Sequence, residues 1–241
     1  MDILKIDSTD STNNWLAENE NSIPATALVF CINQRAGRGQ RGNSWESEPG
    51  KNITASCIFH LKDFPAARQF KISEAIALAI VDYLNEKGVD AKVKWPNDIY
   101  VGEKKICGIL VEHIVTGRTL SRTIAGFGIN INQKKFLSDA PNPVSLSQIT
   151  RKDYNIEKEI SSVAKYIEKR ISQITDENLH TEFHNKLWRF DNRYHQFRDR
   201  LRNENIMAKI QSVAPEGVLS LITEDGEKRN YAFKEIEFIL E

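Results

Sequence analysis

The sequence predicts an α+β fold: strands and helices over the first part of the chain, followed by a small C-terminal β-barrel of SH3-like size. Three observations carry this. Apolar, β-rich runs recur from Asp2 to Ile131, with one dense apolar helical segment among them. Two amphipathic segments of period 3.6 follow. After about Asn192 the pattern changes to period two, with short runs broken by glycine turns. The boundary is placed near residue 190, dividing the chain into 1–190 and 191–241.

Taken in order, "DILKID" alternates and reads as a first strand. "DSTNNWLAENE" reads as a short helix that Ser11 or Thr12 can cap. "ATALVFCINQ" is a buried strand; a glycine loop follows, then "KNITASCIFH", a further strand. "QFKISEAIALAIVDYLNEKG" is the strongest helix, ended by Gly88. "AKVKW" is a strand broken by "PND". "IYV" and "ICGILVEHIV" form a hairpin turning at Gly102. "RTLSRTIAGFGINI" is a further strand, and "NQKKFLSDAPNPVSL" a polar loop. "IEKEISSVAKYIEKRISQI" aligns Ile160, Val163, Ala164, Ile167, Ile171 and Ile174 on one helical face. "ENLHTEFHNKLWRF" repeats the period with Leu179, Phe183, Leu187 and Phe190. The tail strands are "IMAKIQSVA", "GVLSLITEDG" and "KRNYAFKEIEFIL", with turns at "PEG" and "EDG".

Composition narrows the function. The chain has 241 residues, 40% hydrophobic and 27% charged, with a formal net charge of zero. That allows a sizeable core and argues against a protein built to hold nucleic acid on a basic face. The N-terminus is acidic and lacks the apolar segment of a signal peptide, and no apolar run is long enough to span a bilayer, so the expected location is cytoplasmic. Cys31, Cys57 and Cys107 are scattered among apolar neighbours without a C-x-x-C pair. They read as buried, reduced thiols rather than metal ligands.

Three constellations carry chemistry. "GRGQRG", Gly37 to Gly42, matches G-x-G-x-x-G, but a dinucleotide fingerprint needs a helix directly after the loop. Here "NSWESEPGKN" follows, with Pro49 and Gly50 and no helical period. The loop suits an anion clamp instead: glycines let backbone N–H groups converge, and Arg38 and Arg41 bring charge and forked donors. An exposed basic turn without a ligand is the plain alternative. The second constellation, "KWPNDIYVGEKKICGILVE", gathers Lys94, Asn97, Asp98, Lys104 and Lys105 around two turns. Asp98 suits either Mg²⁺ or a turn. Lys105 begins an apolar strand, from which its ammonium can enter a pocket, whereas Glu103 and Lys104 fit an ordinary solvated tip. The third, "GFGININ", places glycines in a strand, a sign of close approach. Asn130 and Asn132 there can donate amide hydrogen bonds. No Walker A sequence occurs.

Together, "DSTN", "GRGQRGNSWESEPGKNITAS", "KWPNDIYVGEKKICGILVE" and "GFGININQ" resemble the biotin protein ligases, from about Ser11 to Leu146, and the small C-terminal β-domain also fits. The resemblance implies the biotin/lipoate ligase type of mixed sheet with helices packed on it. It implies an enzyme that joins biotin and ATP, with Mg²⁺, into biotinyl-5′-AMP and passes biotin to a lysine on the carrier domain of a biotin-dependent carboxylase. Neutralising and aligning two anions needs lysine, arginine and backbone N–H rather than a protein nucleophile. None of the five histidines falls in these motifs. By the resemblance, Lys105 and Arg38 are catalytic. Ser11, Thr12, Asn13, Gln34, Gly37, Arg38, Gly39, Gln40, Lys105 and Gly108 bind biotin. Arg41, Trp45, Lys94, Asn97, Asp98 and Asn130 meet ATP, and Asp98 is the candidate for its Mg²⁺. The stretch from Gln133 to Ser145 closes as a lid.

Two departures stand out. The first motif begins too early to leave room for the helix-turn-helix of many relatives, so operator DNA is not an expected partner. Gln40 and Asn43 stand where relatives usually carry arginine, and Arg41 is expected to supply the charge that Gln40 lacks. A homodimer is left open. The alternatives are a lipoate or octanoate ligase or transferase of the same fold, or a non-catalytic biotin- or nucleotide-binding module.

Overall fold

A computed structural model of the chain describes residues 1–138 and 142–240, and the backbone but not the side chain of Arg41. Among the described residues, twelve strands and five α-helices follow the expected order with local exceptions. A seven-stranded mixed sheet has the order β1-β2-β3-β7-β6-β5-β4. Its strands are β1 (Asp2–Thr9), β2 (Ala27–Gln34), β3 (Ile53–Phe59), β4 (Ala91–Lys94), β5 (Asp98–Val101), β6 (Lys104–Thr116) and β7 (Thr119–Ile129). Only β1 and β2 run parallel; the other neighbours are antiparallel.

The two faces are covered differently. One packs against α2 (Phe70–Glu86), which carries α4 (Ile156–Ser172) and α5 (Asn178–Asn185). The dense apolar content of α2 follows from this burial between sheet and helices, and Gly88, at φ +77°, turns the chain out as expected. Among the described residues, the other face carries α1 (Thr12–Asn19), whose Leu16 packs with Val29, Ile58 and Ile124. Beyond α1 this face is left open for a pocket.

After residue 191 come β8 (His195–Asp199), β9 (Glu204–Val213), β10 (Leu219–Thr223), β11 (Lys228–Tyr231) and β12 (Ile236–Phe238). They form an antiparallel sheet of order β11-β10-β9-β8-β12, in keeping with an SH3-like β-domain. The glycine turns fall where expected, with Gly217 at φ +90° and Gly226 at φ +86°. One apolar cluster runs through both sheets, and the Trp95 indole N–H donates to the Gly217 carbonyl at 2.9 Å.

Four expectations change. The helix of "ENLHTEFHNKLWRF" stops at Asn185: Trp188 N–H donates to Val93 O at 2.8 Å, and Val93 N–H to Lys186 O at 2.7 Å. The free edge of β4 captures Leu187 in an isolated bridge within a turn, and Phe190 is left partly exposed. A short helix, α3 (Leu146–Thr150), follows the polar loop; Gln148 Oε1 accepts the Ser145 N–H at 2.9 Å. Strand β8 was not anticipated, and "KRNYAFKEIEFIL" divides into β11 and β12. Finally, Ser11 occupies the N-cap position of α1, but its hydroxyl makes no cap bond. The cysteines are buried and unpaired, as read.

Candidate functional site

Register builds the floor of the site. Lys94 pairs with Asp98, Asp98 with Gly108, and Gly108 with Gly128, so these four share one face. Two residues along, Leu110, Gly126 and Ser56 form the next row on that face. Lys105 would point the other way in an unbroken ladder. An irregularity at Ile99/Tyr100 shifts the register, so that Ile99 faces Cys107 while Tyr100 faces Lys105. The extra residue, Ile106, flips Lys105 onto the face of Asp98. The Lys105 ammonium then lies 2.7 Å from Asp98 Oδ1.

Above this floor is a cavity of about 660 Å³. At one end Thr12 N–H and Oγ1–H donate to Gln34 Oε1 at 2.9 and 3.1 Å, and Ser56 Oγ donates to Thr12 Oγ1 at 2.7 Å. Ser56 is also 2.5 Å from Asn13 Oδ1, while Asn13 Nδ2 donates to Glu112 Oε2 at 2.6 Å and approaches Leu110 O at 3.3 Å. The Asn13 amide is therefore engaged at both ends by protein. Gly126 is required here, because a Cβ would collide with Asn13 Oδ1.

The glycine loop closes the middle. No α-helix follows it; only a single 3₁₀ turn, Gln40–Gly42, lies there, so the dinucleotide geometry is absent among the described residues. Gly39 N–H donates to Asn43 O at 2.6 Å, and Trp45 N–H to Gly37 O at 2.9 Å. This hairpin lays the Trp45 indole on Gly108 and Gly128; a Cβ at Gly128 would overlap the ring, and one at Gly108 would crowd it. The glycines predicted to permit close approach thus admit an aromatic ring. Arg38 donates to Glu112 Oε2 at 2.8 Å. The Arg41 side chain, to which a compensating role was given, lies outside the described residues.

The other end is cationic. Lys94 lies 5.2 Å from the Tyr100 ring centre and 5.0 Å from that of Phe238, and burial pulls its ammonium below the ordinary lysine range. Asn97 Nδ2 donates to Ile109 O at 2.8 Å. Asn130 Nδ2 donates to Val144 O at 3.2 Å. Among the described residues, two buried polar atoms of the cavity lining have no hydrogen-bond partner, Gln40 Oε1 and Trp45 Nε1; Asn130 Oδ1 also has none but is not among the lining residues. Orphaned groups of this kind in a cavity are what a polar ligand satisfies.

Three contributions escaped the sequence reading. Arg200, Phe233, Lys234 and Glu237 of the C-terminal β-domain also line the cavity. Glu46 accepts the N–H groups of Leu137 at 3.0 Å and Ser138 at 2.7 Å, fixing the start of the polar loop. Its carboxyl is raised by burial, but these bonds outweigh that and hold it below the usual range. Glu112 joins Asn13 to Arg38. The expected lid is anchored at its far end too, with Lys105 N–H donating to Asn142 O and Val144 N–H to Lys105 O, both at 2.9 Å. Residues 139–141 of that stretch lie outside the described residues. Asn132 exchanges hydrogen bonds with the Tyr154 backbone and is a structural strut. The described residues contain no group of three His, Cys, Asp or Glu side chains suited to a metal ion, and no helix long and apolar enough to cross a membrane.

Comparison with known proteins bears on family and fold. The model of the family described as "Biotin/lipoate A/B protein ligase family" matches residues 5–130. The "Bifunctional ligase/repressor BirA" of Bacillus subtilis is 31% identical over 94% of this chain and 70% of its own length. The protein of the same name from Salmonella typhimurium is 35% identical over 55% of this chain, and the chain spans only 42% of that relative's length. In structure, the "Biotin protein ligase from Aquifex aeolicus in complex with biotin and ATP" superposes with a TM-score of 0.80 at 22% identity, covering 100% of this chain and 99% of that one.

Proposed function

This chain belongs to the biotin/lipoate A/B protein ligase family, and on that premise we propose that it is an ATP-dependent biotin protein ligase. The observation that carries the reading is one cavity with two chemically different ends: the Thr12–Gln34–Ser56 hydrogen-bonding set and, past a glycine floor, the Lys105–Asp98 pair with Lys94. A urea ring fits the first end and an anionic carboxylate-and-phosphate junction the second. A plain alkyl acid would make no use of this polar end, which weighs against octanoate.

In this proposal the biotin carboxylate attacks the α-phosphorus of ATP. An O–P bond forms, pyrophosphate leaves, and biotinyl-5′-AMP results. The ε-amine of a carrier lysine then attacks the acyl carbon, the amine proton is lost, and AMP departs. Lys105 bridges the carboxylate and the α-phosphate, and its charge counts most when negative charge concentrates there. Arg38 holds the same junction, with Gly37, Gly39 and Gln40 in the loop beside it; the Gly39 N–H stays engaged by Asn43. Ser11, Thr12 and Gln34 hold the ureido ring, with Asn13 as the strut behind them. Trp45, Asn97 and Asn130 meet the nucleoside, and Lys94 the outer phosphates. Mg²⁺ arrives with ATP as part of the substrate, with Asp98 the nearest carboxylate on the floor. The division at residue 190 gives a catalytic unit, 1–190, whose cavity a β-domain, 191–241, also lines. The acceptor is the biotin carrier domain of a carboxylase.

The test is transfer. With labelled biotin, MgATP and a purified biotin carrier domain, label should appear on the carrier lysine only when ATP is present. Transfer of labelled octanoate without transfer of biotin would overturn the assignment.

A further inference from the structure

Arg38 and Glu112 meet at the rim where the glycine loop approaches the polar end of the cavity. Their distance is 2.8 Å, and each side chain is 42% exposed. The same Glu112 oxygen accepts from Asn13. Glu112 therefore serves two donors with different needs. Asn13, a neutral amide, needs only an acceptor at that point. Arg38, a cation beside the cavity, needs negative charge, and an acid entering the cavity would bring its own.

We propose that Glu112 is a resident stand-in for the substrate's carboxylate: it holds Arg38 at the rim until the incoming acid displaces it. Glu112 acts through Arg38 and is a positioning residue. The identity of the acid rests on the biotin-ligase reading. Because Arg38 trades one carboxylate for another, the contact yields little net affinity, and Glu112 sets the acid affinity lower than Arg38 alone would give. For an exposed pair the offset corresponds to about a two- to fivefold change in affinity. A passive strut would behave differently, since its loss would weaken every ligand alike.

Glu112→Gln separates the two. The amide oxygen still accepts from Asn13, but the charge that holds Arg38 is gone. Calorimetric titration of Glu112→Gln should show biotin binding about two- to fivefold tighter than to wild type. Binding of biotinol, whose carboxylate is replaced by a hydroxymethyl group, should be unchanged. In an Arg38→Gln background, Glu112→Gln should have no further effect on biotin. In the wild-type protein, the Arg38 side-chain NMR signals, assigned by their loss in Arg38→Gln, should move on adding biotin and stay on adding biotinol. Equal or weaker biotin binding by a folded Glu112→Gln protein, equal tightening of biotinol, or Arg38 signals indifferent to biotin would each overturn the inference while leaving the ligase reading intact. A wild-type protein that binds neither compound would overturn both.

Discussion

The Lys105 ammonium lies 2.7 Å from the Asp98 carboxylate because one extra residue, Ile106, turns Lys105 onto the face of the sheet that Asp98 already occupies. The pair holds the lysine over a floor of glycine, where substrate oxygens can approach it. Lys105→Ala should lower biotinyl-adenylate formation by about 10²–10³, the usual effect of deleting one preorganised donor, with little change in melting temperature. Lys105→Arg should also fail, because a planar fork does not replace a compact ammonium in a confined site. Pyrophosphate release at a near-normal rate would mark Lys105 as an ordinary hairpin lysine.

Gln34 accepts two hydrogen bonds from Thr12 at the polar end of the cavity. Gln34→Ala leaves those buried donors without a partner, at a cost of about 1–3 kcal/mol. Biotin affinity, read by calorimetry, should fall about five- to a hundredfold. Any weak octanoate binding should hold steady, since an alkyl chain makes no use of these groups. Equal losses for both acids would contradict the assignment of this end.

Gly128→Ala tests the seat of Trp45. An added Cβ would overlap the indole, so the ring must leave the floor. Overpacking of this kind costs typically about 1–3 kcal/mol. A lower urea midpoint together with red-shifted Trp45 emission, isolated by comparison with Trp45→Phe, is the expected result. Unchanged emission and midpoint would mean that the ring does not sit on Gly128.

Glu74 is fully buried on α2, with His180 Nδ1 at 2.5 Å, and its second oxygen has no partner. Burial raises its carboxyl above the ordinary range, outweighing His180. The folded state then holds this proton more tightly than the unfolded chain. Its contribution to stability is therefore largest at low pH, and it diminishes as pH rises from about 4.3, the unfolded value, toward the folded one. Glu74→Gln removes that titration. Urea midpoints measured upward from about pH 4 should fall less steeply in the variant than in wild type. Parallel profiles would show that Glu74 does not titrate as described.

Much of this was legible because periodicity reports burial. The strand runs, α2 and α4 appear where apolar spacing puts them, and parts of each quoted motif line the cavity, though Gly37 and Asn130 do not. What stayed hidden depends on contacts distant in sequence. The bulge at Ile106 exists only when β5 and β6 pair. The end of α5 is set by the free edge of β4, which draws Leu187 and Trp188 out of a helical pattern they otherwise satisfy. Glu46 and Glu112 read as surface acids until the loops they tie are brought beside them. The lining supplied by Arg200 and Phe233 requires docking of the second sheet, of which its alternating strands give no sign. The Ser145–Gln148 capping pair is different: that signal is local, and it marks a helix too short for the apolar period to register.

Acid-dependent exchange of labelled pyrophosphate into ATP isolates the activation step from any need for a carrier, and so tests the central claim most directly. With the purified chain and Mg²⁺, biotin should drive exchange and an acid-labile biotinyl-AMP should be recoverable by mass spectrometry. Octanoate should support little exchange, and Lys105→Ala almost none. Exchange driven by octanoate but not biotin, or no exchange with either acid, would contradict the account.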